Sequence, residues 1–116
     1  MSFPHRGHLY WVNLDPTIGS EIKKTRPCVV ISPDAANEGG SLVIVAPVSK
    51  ADGKKVFFHE VLLPKGSAGL SFDSKIKVFQ LRFVDKRRLS PSRIGVLPPD
   101  LIQRLDEKIR VVTGLY

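Results

Sequence analysis

The sequence predicts a mainly β fold closed by one C-terminal α-helix, and three observations carry that reading. Short apolar runs rich in Val, Ile, Leu and aromatic residues recur from His8 to Leu97. Most are bounded by Pro, Gly, Asp or Asn, the residues that turn a chain. From Pro98 onward the apolar spacing changes from that of a strand to that of a helix. With 116 residues, the chain is expected to form a single domain over 1–116, large enough for one core and too short for two of ordinary size.

His8 to Leu14 reads as the first strand, because aromatic and branched residues fill it and the Asp15-Pro16 turn signal ends it. Arg26 to Ser32 is a nearly unbroken apolar run, too short for an ordinary helix, and reads as a central strand buried on both faces. Pro27 marks its beginning. Pro33 to Gly40 holds Pro, Asp, Asn and Gly and reads as a surface loop. Leu42 to Val48 repeats the preceding strand, with Pro47 disturbing the ladder near its end. Val56 to Leu63 reads as a fourth strand closed by Pro64-Lys65-Gly66.

Ser74 to Val84 alternates, with Ile76, Val78, Gln80 and Arg82 on one face and Lys75, Lys77, Phe79, Leu81 and Phe83 on the other. The apolar side changes along its length, which predicts a bent barrel strand. Lys86-Arg87-Arg88 forms a charged exit, and Ile94 to Leu97 reads as a short closing strand. Leu101, Ile102, Leu105, Ile109 and Val112 then form an apolar stripe at helical spacing, with Asp100 as the expected N-cap and Gly114 as the terminator. Strands followed by one amphipathic helix predict a small curled β-barrel with the helix covering one opening.

Lys and Arg number 18 against 11 Asp and Glu, a formal charge of +7 that favours a polyanionic partner such as nucleic acid or an acidic protein segment. Cys28 is the only cysteine, so the chain can form neither an internal disulfide nor a multi-cysteine zinc site; its apolar setting predicts a small buried hydrophobe. The first residues lack the apolar stretch of a signal peptide, and no segment approaches the roughly 20 apolar residues of a membrane span. The expected location is the cytoplasm, with no membrane partner.

The junction Lys23-Lys24-Thr25-Arg26-Pro27 carries the clearest chemistry. A cationic loop there runs straight into a buried strand, and an Arg rooted in this way is a fixed, permanently charged fork suited to phosphate. The preceding Asp15 to Glu21 loop is rich in turn formers and can frame a groove beside Arg26. An Arg at a strand end is also, commonly, just a solvated surface residue.

Read together, Arg6-Gly7 to Asp15-Pro16, Gly19-Ser20-Glu21 and Arg26-Pro27 resemble the MazF/PemK family of toxin endoribonucleases. Val45-Ala46-Pro47-Val48-Ser49 looks like the family's strand ending in Pro, an apolar residue and Thr or Ser, and Gln80-Leu81-Arg82 looks like its later strand. The match runs almost end to end, and its motifs are specific in combination. Three positions depart from the pattern: His8 and Phe79 stand where acidic residues are usual, and Ser49 where Thr is commonest.

The resemblance implies an SH3-like small β-barrel of the MazF/CcdB type and a homodimer. It also implies metal-independent cleavage of single-stranded RNA without a cofactor, at short sequences. A cognate antitoxin is implied too, with operator DNA contacted through the toxin–antitoxin complex. Metal-free RNA cleavage uses the 2′-hydroxyl as nucleophile and leaves a 2′,3′-cyclic phosphate and a 5′-hydroxyl. A base must take the 2′ proton, a cation must stabilise the phosphorane, and an acid must protonate the leaving oxygen.

Arg26 suits the second task, because its planar fork can grip two phosphoryl oxygens, and a guanidinium makes a poor base. Ser49 is expected to hydrogen-bond the scissile phosphate. Glu21 is the carboxylate candidate for a base or for holding Arg26. Gly19, Ser20, Lys24, Thr25, Pro47, Gln80 and Arg82 are expected along the RNA, the cations neutralising phosphates and Gln80 reading base edges. Tyr10 and Trp11 are surfaces on which bases can stack, although at least one is expected in the core. None of His5, His8 and His59 matches a general family histidine, so a catalytic histidine pair is not expected. The competing reading is a non-catalytic module on the same barrel, either RNA-binding or directed at a protein such as gyrase. An antitoxin for the leading reading would present an acidic, partly disordered segment.

Overall fold

The structure, a computed structural model, describes residues 3–115. Its strands are β1 (His8–Asn13), β2 (Thr25–Val30), β3 (Leu42–Lys50), β4 (Val61–Leu63), β5 (Ser74–Ile76), β6 (Arg82–Asp85) and β7 (Gly95–Val96). A short helix α1 (Asp34–Gly39) lies between β2 and β3, and α2 (Pro99–Val112) follows β7. The sheet runs β4-β5-β3-β2-β1-β7, with β6 paired to β3 beside this path. The result is a curled, mostly β half-barrel with a C-terminal helix, consistent with the expected SH3-like barrel.

Strand β3 is the hinge of this curl. On one edge it pairs with β2; on the other its first half, Leu42 to Val45, pairs with β6 and its last residues, Val48 to Lys50, pair with β5. Pro47 sits at the changeover. It has no N–H to give, but its carbonyl accepts a 2.7 Å bond from Lys77 N–H, which ties the start of the next turn to the strand.

Both faces of the central strands are buried, as the unbroken apolar runs require. On one face Leu9, Val29, Ala46, Val48, Ile76 and Leu63 form a core that α2 covers with Leu101 and Leu105. On the other, Val12, Leu14, Cys28, Val30, Val43 and Val45 form a second cluster. Burial pushes the Cys28 thiol up to about 12, which keeps it a neutral, apolar-packed group. Helix α2 is closed just past its end by Gly114, whose φ of 78° lets Leu115 N–H and Gly114 N–H bond back to the carbonyls of Arg110 and Val111.

Four sequence-based expectations are corrected. Pro33 to Gly40 is not merely a loop, because Asp34–Gly39 is helical and Asn37 is fully buried, donating to the carbonyls of Pro4 and Ser32. The strand expected from Val56 shrinks to Val61–Leu63. Phe57 N–H donates to Glu60 Oε1 at 2.9 Å, and this closes a turn in place of a ladder. The single strand expected from Ser74 to Val84 is two strands, parted by a 3-10 turn at Val78–Gln80. Helix α2 starts one residue before the expected cap: Pro98 is the N-cap residue, and Asp100 sits in the first turn, where its charge complements the helix dipole.

Candidate active site

Alternation along the strands sets the site. Cys28 and Val30 belong to the second cluster, so Arg26, two residues earlier, points the same way at the end of β2. Val43 and Val45 do the same on β3, so Pro47 and Ser49 follow them out of the core. The β2–β3 register pairs Cys28 with Pro47, and carried two residues further it sets Arg26 across from Ser49.

Two grooves meet at this pair. One, of about 500 Å³, is lined by Arg26 and Ser49 together with Lys24, Thr25, Trp11 and Phe72. The other, of about 370 Å³, is lined by Arg26, Ser49, Lys54, Lys75 and Lys77, with Asp52 as an acid among them. Among the described residues Arg26 makes one side-chain hydrogen bond, from Nε to the Lys23 carbonyl at 3.1 Å, and no carboxylate pairs with it. That bond fixes the stem and leaves the two terminal nitrogens, four N–H donors, for an anion. Lys24 holds the turn before β2 in a left-handed conformation with φ of 72°, uncommon for a residue with a side chain. Its N–H donates to Asp15 Oδ1 and its carbonyl accepts from Leu14 N–H, so both ends of the loop are pinned.

The remaining expected residues gather in a third groove of about 580 Å³, where Ser20, Glu21, Pro47, Gln80 and Arg82 meet the exposed ring of Phe79. Glu21 here serves its own loop. Its Oε1 accepts from Ile18 N–H at 2.7 Å while its N–H donates to the Ile18 carbonyl, and no bond joins it to Arg26. Gln80 Oε1 accepts from Ile22 N–H at 2.7 Å, leaving the amide's NH₂ end to face a ligand. Arg82 donates to the Leu14 carbonyl at 3.0 Å, bracing the loop root. Gly19 has φ of 58° at the loop's crest with open space around it.

Of the two aromatics, Tyr10 packs partly against the second cluster, and Trp11 is the exposed one, on the first groove's wall. No histidine lines either groove at Arg26 among the described residues. His5 bonds Asp34, His8 begins β1, and His59 stacks among Phe57, Phe58 and Phe79. Among the described residues no three His, Cys, Asp or Glu side chains gather as metal ligands do.

Sequence reasoning did not single out Lys75, Lys77, Lys50 or Phe72. Lys50 Nζ lies 4.1 Å from the centre of the Phe72 ring, a cation–π contact that builds the groove wall. Phe72 lies in a stretch between strands where the sequence gives no periodic signal.

A curled β half-barrel with a helix on one face thus carries a cationic groove lined by the Arg26 guanidinium and the Ser49 hydroxyl. The family of PemK-like, MazF-like toxins of type II toxin-antitoxin systems matches residues 5–113, and the chain belongs to that family. It is 34% identical over 116 residues to endoribonuclease MazF9 of Mycobacterium tuberculosis, covering 96% of this chain and 97% of that protein. The crystal structure of MazF from Deinococcus radiodurans superposes with a TM-score of 0.83 at 29% identity, over 98% of this chain and 99% of that one. A MazE-MazF crystal structure from the same organism matches with a TM-score of 0.75 at 26% identity, over the whole of both chains.

Proposed function

We propose that this MazF-like toxin endoribonuclease cleaves single-stranded RNA by 2′-hydroxyl attack at the Arg26–Ser49 pair, without a metal, giving a 2′,3′-cyclic phosphate and a 5′-hydroxyl. The observation that carries this reading is that Arg26 and Ser49 line the same groove, with the guanidinium's terminal nitrogens unpaired among the described residues. Arg26 stabilises the charge that builds on the phosphorane, and Ser49 donates its hydroxyl to a non-bridging oxygen. Arg26 is assigned to charge stabilisation and not to proton transfer.

Glu21 shapes the loop by accepting from Ile18 N–H, and its role as base is not favoured by this engagement. Lys24 and Thr25 lie beside the scissile position, while Ser20, Pro47, Gln80 and Arg82 contact the bases and phosphates that continue past it. The site takes no cofactor. A single domain over 1–116 acts as a homodimer in the cytoplasm and is silenced by an antitoxin whose acidic segment occupies the cationic groove. Operator DNA is bound through that complex. The MazE-MazF neighbour supports the antitoxin part of this reading.

The test is incubation of a long RNA with the purified protein in EDTA, followed by mapping of the ends. Cuts at one short sequence with 5′-hydroxyl ends support the reading. Intact RNA, with the protein folded and free of partner, would overturn it.

A further inference from the structure

Ser49 is paired across the β3–β5 ladder with Lys75, so the row that begins at Arg26 on β2 continues over Ser49 onto β5. Residues directly opposite in a ladder project to the same face, so Lys75 extends that row, and Lys77, just past β5, lines the same groove. Beneath them lies Glu60, its side chain wholly buried, with Oε1 3.3 Å from Lys75 Nζ and Oε2 2.6 Å from Lys77 Nζ.

The two lysines are not equivalent. Lys75 is 7% exposed and gives a second bond to the Lys55 carbonyl, so it is the internal counter-ion of Glu60. Lys77 is 24% exposed, and both lysines line the groove that Arg26 and Ser49 also line. One lysine suffices to neutralise one carboxylate. The second leaves the trio with a net positive charge beside a groove lined by Arg26, Lys50, Lys54 and one acid, Asp52. Unrelieved repulsion of this kind costs the unliganded protein stability, and a polyanion in the groove offsets it. A free lysine also has many rotamers to lose on gripping a phosphate, and an anchored one has already lost them.

We propose that Lys77 grips a phosphodiester of the RNA next to the one at Arg26–Ser49, and that Glu60 is a positioning residue that holds Lys77 there. The proposal rests on the ribonuclease reading for the identity of the strand. RNA is the occupant argued for, because the groove is continuous with Arg26 and Ser49, where that reading puts the scissile phosphate.

The experiment uses the full chain and a mixed-sequence oligonucleotide carrying 2′-O-methyl groups throughout, which binds without being cut. Its affinity is measured across a salt series for the wild type, Lys77→Gln and Lys77→Arg. Losing one phosphate contact should reduce the slope of log affinity against log salt by about 0.7 in Lys77→Gln, with Lys77→Arg close to wild type. Glu60→Gln, where circular dichroism shows it folded, should reduce the slope in the same way and raise KM on cleavable RNA while sparing kcat, although it adds net positive charge. If Glu60→Gln does not fold, the Lys77 variants still decide. An unchanged slope in a folded Lys77→Gln overturns the proposal, and so does loss of acidic-peptide binding with RNA binding intact. Failure of the wild type to cut RNA overturns the ribonuclease reading separately, since the slope is read on an uncleavable probe.

Discussion

Arg26 and Ser49 lie near the ends of β2 and β3, each two residues beyond the paired Cys28 and Pro47, and line the same two grooves. Neither position is made by a loop alone. Each side chain continues a row whose earlier members, Cys28 with Val30 and Val43 with Val45, are locked in the second core cluster. The pair is therefore held by packing, which is what a preorganised electrostatic site requires.

Ser49→Ala should remove a hydrogen bond to a charged oxygen, costing about 2 kcal/mol or roughly 30-fold in cleavage rate. Ser49→Thr keeps the hydroxyl and should stay near wild type. Single-turnover rates on a defined oligonucleotide measure both; equal losses in the two variants would mean that the hydroxyl is not what matters.

Glu21→Gln separates two roles for that residue. The amide oxygen can still accept from Ile18 N–H, so the loop stays closed and most of the cleavage rate survives. A general base replaced by an amide would instead lose about 10²- to 10⁴-fold. The rate of this variant between acid and neutral pH decides the matter.

Glu60 predicts an acid-dependent loss of stability. Burial alone would raise its carboxyl pKa, but bonds from Lys77, Phe57 N–H and Lys75 outweigh burial and hold it below the ordinary 4.5. Its contribution is thus present above the unfolded value and lost as pH falls through the lower, folded one. Urea midpoints of the wild type should drop on acidification through that range. Glu60→Gln, less stable at neutral pH by about 3 kcal/mol because two lysines lose their partner, should show a smaller drop.

The long elements were legible because their signals are local. The apolar runs of β1, β2 and β3 and the stripe of α2 report burial residue by residue. What escaped depended on distant partners. Six-residue α1 is too short to persist alone and is stabilised by Asn37 reaching Ser32 and Pro4. Val56-Phe57-Phe58 has strand composition, yet Glu60 folds back on Phe57 because Lys75 and Lys77 wait for its carboxylate. The alternation from Ser74 to Val84 survives in β5 and β6, but the chain must turn at Val78–Gln80 to reach the other half of β3.

The site divides in the same way. Arg26 was legible as a cation at the root of an apolar strand, and Ser49 through the Pro47-Val48-Ser49 motif. Lys77 was one lysine in an alternating strand until its N–H bond to the Pro47 carbonyl and the shared groove set it beside them.

The most direct measurement is cleavage of a long RNA in EDTA by the wild type and by Arg26→Ala, with both proteins shown to be folded by circular dichroism. The wild type should cut at a short sequence and leave 5′-hydroxyl ends, and Arg26→Ala should be slower by about 10²- to 10³-fold with the same fold. Cleavage by folded Arg26→Ala at the wild-type rate would contradict the assignment of the reaction to this groove.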